Sequence, residues 1–277
     1  MAEHSAAGVS EWATKSGSIW ARRWRDTDRG LSGLAPHLLA AILERAPQGQ
    51  CRAFDIGSGP GSTTIDFVAA RPDAEVIACD VSGELAKIAR ERTASLAQVE
   101  VVVGDAVKVA GEAAPFDLLF SRHGVMFFPK PIEAFSALRR AAAAGASIVF
   151  SCFQAWELNP WASELAAAAA GRELAPPGRE PSGFAFADPS YMREIFDASD
   201  WREVSAEDVR FDYRAGTSVD DAMSFFLEIG PAARVLQELP DDTREAAVQG
   251  MRNLIEKHFD GSEIIFPAAA WIYSARA

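Results

Sequence analysis

Between residues 50 and 153, short runs of apolar and β-branched residues alternate with segments whose apolar positions recur at helical spacing. This alternation is typical of parallel strands joined by helices. It predicts an α/β fold with a doubly wound, mostly parallel sheet. Helices are predicted up to Ala70 and over 83–95 and 131–143, and a loop is predicted between the third and fourth strands. The predicted strands are RAFDIG, EVIACDV, VEVVVGD, FDLLFSR and ASIVFSCF.

The segments on either side of this core show other patterns. Apolar residues recur at helical spacing between residues 20 and 45, which predicts an N-terminal helical cover over residues 1–49. Residues 154–240 combine helical pieces, a Pro- and Gly-rich loop and an added strand, and we interpret them as a cap and substrate region inserted above the sheet. The last two strand-like runs, WREVSAEDVRFDYRA and AAAWIYSAR, would complete the sheet as an antiparallel edge, and a helix within 241–277 precedes the second of them. We expect the cap residues 154–190 to be removable without loss of the core.

Charge and cysteine usage narrow the classes of function. The chain has 27 Lys and Arg against 39 Asp and Glu, a net charge of -12, which would repel a nucleic acid backbone. Nucleic acid is therefore not an expected partner. The first residues lack the pattern of a secretory leader and no apolar run is long enough to span a membrane, so a cytoplasmic protein is expected. Cys51, Cys79 and Cys152 lie apart in apolar runs and are predicted to be buried free thiols.

The sequence Asp55-Ile56-Gly57-Ser58-Gly59-Pro60-Gly61 follows the first predicted strand and precedes a helix. Glycines let the backbone approach a ligand closely, and the start of a helix offers unpaired N–H groups. Structural turns also use glycine, so this loop is either a cofactor site or a turn. A dinucleotide fingerprint would have its third glycine at position 62, which is Ser62 here, and an NAD-dependent oxidoreductase is accordingly disfavoured.

Two further carboxylates are predicted at the same edge of the sheet. Asp80 ends the second strand, where it would either accept hydrogen bonds from the hydroxyls of a ribose or cap the next helix. Asp105 closes the third strand and would either meet an adenine amino group or stabilise a turn. Several acidic strand ends beside a glycine loop are costly unless they are paired, which favours a ligand site.

The stretches DIGSGPGSTT, CDVS and VVGDA and the run from FDLLFSRHG to SCF resemble class I S-adenosylmethionine-dependent methyltransferases, of the small-molecule type related to the ubiquinone and menaquinone biosynthesis enzymes. The resemblance implies a Rossmann-like fold and S-adenosylmethionine as the cofactor. It places the glycine loop around the methionine part of the cofactor, two strand ends on the nucleoside, and one serine beneath the sulfonium. The implied residues are Asp55, Gly57, Ser58, Gly59 and Gly61 for methionine, Asp80, Val81, Asp105 and Ala106 for the nucleoside, and Ser121 for the sulfonium.

His123 departs from the family, in which the loop after the fourth strand often has an apolar aromatic residue at this position. With an ordinary pKa of about 6.5, an imidazole there would act as a general base towards the methyl acceptor. It would equally serve as a packing residue beneath the cofactor, and the sequence leaves both roles open.

The predicted cap is rich in aromatic residues, which would either line an apolar acceptor pocket or pack the cap. These residues are Trp156, Trp161, Phe184, Phe186 and Tyr191. The four histidines are scattered without metal-ligand spacing, so no catalytic metal is predicted.

The sequence thus predicts methyl transfer from S-adenosylmethionine to an oxygen or nitrogen of a small, partly apolar metabolite. Such a reaction needs chiefly alignment of the reacting atoms, so a sparse catalytic set is no objection. The alternatives are a non-catalytic S-adenosylmethionine-binding regulatory protein and, less favoured, the NAD-dependent oxidoreductase.

Overall fold

A seven-stranded sheet organises residues 14–277, the part of the chain that the computed structural model describes. The strand order is β3-β2-β1-β4-β5-β7-β6, and the pairs among β1 to β5 are parallel. β7 pairs antiparallel with both β5 and β6. The strands are β1 (Cys51–Ile56), β2 (Ala74–Asp80), β3 (Val99–Val103), β4 (Phe116–Arg122), β5 (Ala142–Phe153), β6 (Arg202–Gly216) and β7 (Ile264–Arg276). The predicted α/β fold, mostly parallel with antiparallel pairing at one end, is confirmed.

Helices flank the sheet and alternate with the strands of the core. Two short 3₁₀ turns, Val125–Phe127 and Trp156–Leu158, follow β4 and β5. The α-helices are α1 (Lys15–Arg22), α2 (Trp24–Gly30), α3 (Ala35–Arg45), α4 (Ser62–Ala70), α5 (Gly83–Thr93), α6 (Ala106–Ala113), α7 (Pro131–Ala141), α8 (Pro160–Ala170), α9 (Pro189–Ala198), α10 (Val219–Phe226), α11 (Pro231–Glu238) and α12 (Asp241–Lys257).

The last two strand-like runs complete the sheet as an antiparallel edge, as the sequence suggested, but the final strand is not itself the outermost one. β7 is inserted between β5 and β6, which makes β6 the edge strand. The burial of the two strands agrees with this order: nine of the thirteen positions of β7 are buried, whereas six of the first seven positions of β6 are exposed. An apolar strand at an edge would leave a row of N–H and C=O groups unpaired and open to other chains, so an interior place suits β7 and the more polar β6 takes the edge. The added strand within residues 154–240, β6, completes the sheet by pairing with β7.

One other local prediction differs from the structure. The segment after Asp105, predicted as a loop, is the helix α6, and the Asp105 side chain caps it by accepting a hydrogen bond from the Lys108 N–H at 3.1 Å. The predicted N-terminal cover contains the three helices α1 to α3, and its residues 1–13 lie outside the described part.

The three thiols of Cys51, Cys79 and Cys152 are buried and free, as the sequence predicts. Within residues 14–277, no helix is long and apolar enough to cross a bilayer. In the same described range, no three His, Cys, Asp or Glu side chains lie together as ligands for a metal ion.

Candidate active site

A cavity of about 1200 Å³ opens at the carboxyl ends of β1, β2, β4 and β5. The carboxyl ends of parallel strands meet at one edge of a sheet, and ligands of open α/β folds bind there. This volume exceeds the roughly 300–1,000 Å³ of a pocket for one drug-sized molecule, so there is room for two ligands. The sequence-predicted residues that line it are Asp55, Gly57, Ser58, Gly59, Asp80, Val81, Asp105, Ala106, His123, Trp156 and Trp161.

The glycine loop exposes its backbone to this cavity at Gly59. This residue has φ +54, and a Cβ added to it would meet no atom within 4 Å. Gly61 has a different role, because it precedes α4 with φ +80, and a Cβ there would lie 3.3 Å from the Ala89 Cβ of α5. Gly61 therefore allows close helix packing, and it does not line the cavity.

Asp80 holds the glycine loop and the start of α5 together. Its Oδ2 accepts a hydrogen bond from the Gly59 N–H at 2.8 Å, and its Oδ1 accepts one from the Ser82 N–H at 2.8 Å. Burial raises the pKa of Asp80, while these two hydrogen bonds oppose the rise. Each carboxylate oxygen has a second lone pair, so Asp80 retains acceptor capacity for ligand hydroxyls. The two roles considered for Asp80 are compatible.

Asp55 is buried at the end of β1 with half of its carboxylate unpaired. Oδ2 accepts a hydrogen bond from the Thr64 hydroxyl at 2.6 Å, whereas Oδ1 has no partner within residues 14–277. Burial raises the pKa of Asp55 to about 7. The hydroxyl of Ser58 is also buried without a partner in the described chain. Unpaired buried polar atoms cost stability, and a bound ligand with N–H donors would satisfy them.

His123 has a left-handed backbone conformation with φ +60, which is uncommon for residues other than glycine. Its Nδ1 lies 2.8 Å from the Ser151 Oγ, and its ring packs edge-on against Phe153 at 4.2 Å between centroids. Its Nε2 is buried and has no partner in the described chain. Burial, and then the charge of Arg122, lower the pKa of His123 to about 3. The sequence suggested an ordinary pKa; at this lower pKa the imidazole accepts a proton only weakly.

Three more of the predicted site residues lie outside the cavity wall. Ser121 is fully buried, donates a hydrogen bond to the Ile56 carbonyl at 2.7 Å and accepts one from the Gly124 N–H, so it ties the ends of β1 and β4 together. Phe186 is buried among other core aromatic rings, and Tyr191 packs against Phe186. Neither aromatic ring lines the cavity.

An aromatic wall forms the other side of the cavity, made of Phe153, Trp156, Trp161, Phe184 and Tyr213. The rings of Trp161 and Tyr213 are parallel, with centroids 4.6 Å apart. Sequence reasoning missed Phe153 and Tyr213 because they belong to the strands β5 and β6, and the sequence does not show which strand positions face the cavity.

Polar side chains of the glycine-loop side were missed too. Arg122 lines the cavity at the end of β4, and Asp28 of α2 pairs with it. A charged residue directly after a strand of the core was the available signal for Arg122. Asp28 had no signal, since its partners are distant in sequence.

Comparison with known proteins identifies the core. Residues 53–145 match the family described as a methyltransferase domain. A trans-aconitate 2-methyltransferase of Methylobacterium radiotolerans is 37% identical over 95 residues, which is 34% of this chain and 34% of the relative. A demethylmenaquinone methyltransferase of Staphylococcus aureus is 30% identical over 99 residues, 35% of this chain and 41% of the relative. The chain thus aligns with less than half the length of both relatives.

The likeness of the fold extends beyond this segment. A phosphoethanolamine N-methyltransferase 2 of Haemonchus contortus, solved in complex with S-adenosyl-L-methionine, superposes with a TM-score of 0.53 at 16% identity. The match covers 97% of this chain and 59% of that one. Together with the glycine loop and the acidic strand ends, the match over residues 53–145 identifies this segment as a methyltransferase domain and supports a class I S-adenosylmethionine-dependent methyltransferase.

Proposed function

We propose that this protein transfers the methyl group of S-adenosylmethionine to an oxygen or nitrogen of a small, partly apolar metabolite. The observation that carries the proposal is the continuous cavity that joins the glycine loop to the aromatic wall. A polar half and an apolar half in one cavity suit a charged cofactor beside an apolar acceptor.

The polar half has the groups that the cofactor needs. Asp55 and the backbone at Gly59 would hold its methionine part, and Asp80 would accept hydrogen bonds from the ribose hydroxyls. Asp105 and Ala106 would contact the adenine edge. The unpaired Oδ1 of Asp55 supports this assignment, because the ammonium group of the methionine part would complete its hydrogen bonding. When bound, S-adenosylmethionine supplies a methyl group activated on a sulfonium.

On the acceptor side, the aromatic wall would bind and orient the apolar part of the substrate. Trp156 and Trp161 contribute to this wall as predicted substrate residues. Orientation of two reactants can supply roughly 7–11 kcal/mol of a reaction barrier, which makes a strong base unnecessary. We therefore propose that His123 is uncharged and shapes the site by packing, since an imidazole whose pKa is about 3 accepts protons weakly.

The decisive experiment incubates the purified protein with methyl-labelled S-adenosylmethionine and a fractionated metabolite extract, and follows label in apolar small molecules by mass spectrometry. We expect transfer by the wild type, unchanged by a chelator, and strongly reduced transfer by Asp80→Ala. Loss of the Asp80 hydrogen bonds to a ligand should cost roughly 1.5–3 kcal/mol of binding. Cofactor binding without transfer to any fraction would instead support the regulatory protein.

A further inference from the structure

We propose that Arg122 binds the carboxylate at the amino-acid end of S-adenosylmethionine, and that Asp28 is a positioning residue that holds the Arg122 guanidinium for this contact. The inference rests on the proposed function, because it concerns the same cofactor. It adds a cation to a site whose sequence-predicted ligands are acidic or uncharged.

The sheet places Arg122 beside Asp55. In the parallel register of β1 and β4, Asp55 pairs with Phe120. Arg122 follows Phe120 by two residues, and side chains two apart on a strand point to the same face. The positive charge of Arg122 also lowers the pKa of Asp55, against the rise caused by burial. A carboxylate and a guanidinium therefore share one face of the sheet at its carboxyl edge.

Asp28 holds the guanidinium of Arg122 by an ion pair. The Arg122 Nη2 donates to the Asp28 Oδ1 at 2.5 Å, and the Ser62 hydroxyl donates to the Asp28 Oδ2 at 2.5 Å. Arg92 lies 3.5 Å from the same Oδ2. The carboxylate of Asp28 is thus held by three elements of the core, and it would orient Arg122 without any motion on binding.

The guanidinium keeps donors for a ligand. The side chain of Arg122 is 12% exposed and lines the cavity, and within residues 14–277 its hydrogen bond goes from Nη2 to Asp28. A planar guanidinium has five N–H donors in a fork that matches a carboxylate. The other cations of the cavity wall, Lys130, Arg140 and Arg234, belong to α7 or its cap and to α11, so Arg122 is the cation that accompanies the glycine loop in the described wall.

The two charges match a zwitterion. The amino-acid end of the cofactor has an ammonium and a carboxylate on one carbon. The unpaired oxygen of Asp55 would take the ammonium, and the guanidinium of Arg122 would take the carboxylate. A purely structural Arg122, which only ties α2 to β4, would show no preference for ligands with this end.

The test compares two ligands by calorimetry: S-adenosylhomocysteine, which has the amino-acid end, and 5′-methylthioadenosine, which lacks it. Arg122→Gln should weaken binding of S-adenosylhomocysteine by about ten- to a hundredfold and leave methylthioadenosine within about twofold. Arg122→Lys should retain part of the preference, and Asp28→Asn should show a smaller loss for S-adenosylhomocysteine only. Arg210→Gln is the matched control, since Arg210 pairs with Asp208 outside the cavity wall.

Equal weakening of both ligands by Arg122→Gln and Arg122→Lys, or no weakening of either, would overturn the proposal while leaving the cofactor assignment intact. Failure of the wild type to bind either ligand would overturn the cofactor assignment itself. Thermal unfolding of each variant, recorded without ligand, identifies a loss of folding. If Arg122→Gln unfolds, the affinities of Asp28→Asn and Arg122→Lys for the two ligands replace it in the test. A loss confined to S-adenosylhomocysteine then supports the proposal, and an equal loss for both ligands overturns it.

Discussion

Two buried titratable residues of the site, Asp55 and His123, have pKa values shifted in opposite directions by one cause. Burial disfavours the charged form of each group, so the pKa of the carboxyl rises to about 7 and that of the imidazole falls to about 3. At pH 7 the imidazole of His123 is therefore neutral, and the carboxyl of Asp55 is about half ionised. Only the carboxyl group changes its charge near neutral pH, which makes it the residue that gives binding a pH dependence.

We predict that affinity for S-adenosylhomocysteine rises with pH from about 6 to about 8, because the charged form of Asp55, which pairs with the ammonium, becomes more populated over this range. Calorimetry across the range measures the slope. Asp55→Asn should bind more weakly and lose the pH dependence. A wild-type affinity that is constant with pH would contradict the assignment of the ammonium to Asp55.

His123→Phe should fold, bind S-adenosylhomocysteine normally and keep turnover within a few-fold of the wild type. The reason is that the neutral imidazole already packs as an aromatic ring against Phe153. Turnover of an identified acceptor and its pH profile are the measurements. General-base help is worth about 10²–10⁴-fold, so a loss of that size with an altered profile would restore His123 as the base.

At the scale of elements, hydrophobic periodicity was sufficient for the five core strands and most helices, because each pattern reflects burial of one element against the sheet. It failed for α6, whose short AVKVAGEA sequence contains a glycine, and for the place of β7, which is decided by pairing across the whole chain. The acidic strand ends were predictable because topology brings strand ends together. Phe186 and Tyr191 were not, since an aromatic residue in a cap gives no sign of which way it packs.

The cap proves to be joined to the sheet by buried hydrogen bonds, so its removal is not expected to leave an intact core. Asn159 is fully buried: its Nδ2 donates to the Ala269 carbonyl at 3.2 Å, and its Oδ1 accepts from the Ala269 N–H at 3.1 Å and from the Trp161 indole N–H at 3.2 Å. These bonds fasten the start of α8 to β7.

We predict that Asn159→Leu lowers the free energy of unfolding by about 2–5 kcal/mol, because each buried group left without a partner costs roughly 1–3 kcal/mol. Urea denaturation measures the change. The exposed Asn253→Ala should stay within about 0.5 kcal/mol of the wild type. A small effect of Asn159→Leu would show that the contact is replaceable and would revive the idea of a separable cap.

At the scale of the whole molecule, the three thiols report on global unfolding. Burial raises the pKa of Cys51 to about 11 and that of Cys79 to about 12, and it raises the pKa of Cys152 as well. Buried, protonated thiols react slowly, because the thiolate is the reactive form. The three cysteines lie on β1, β2 and β5, which are interior strands of the sheet.

We predict that a thiol reagent labels none of the three cysteines rapidly in the native protein and all of them in denaturant. Saturating S-adenosylhomocysteine should slow native labelling further, since a ligand at about 100 times its Kd stabilises the folded state by about 2.7 kcal/mol. Mass spectrometry after timed quenching counts the labels. Fast labelling of one cysteine alone would indicate a local opening that the folded structure does not show.

The place of β7 has a consequence for the newly made chain. Residues 264–276 fill the gap between β5 and β6, although they leave the ribosome after both of those strands. Until they emerge, β5 and β6 each have an edge whose N–H and C=O groups are unpaired, because both strands pair with β7 in the folded protein. Unpaired strand edges of this kind can pair with other chains and cause aggregation. We therefore expect mutations that weaken β7 to reduce the soluble yield of this protein more than its activity per folded molecule.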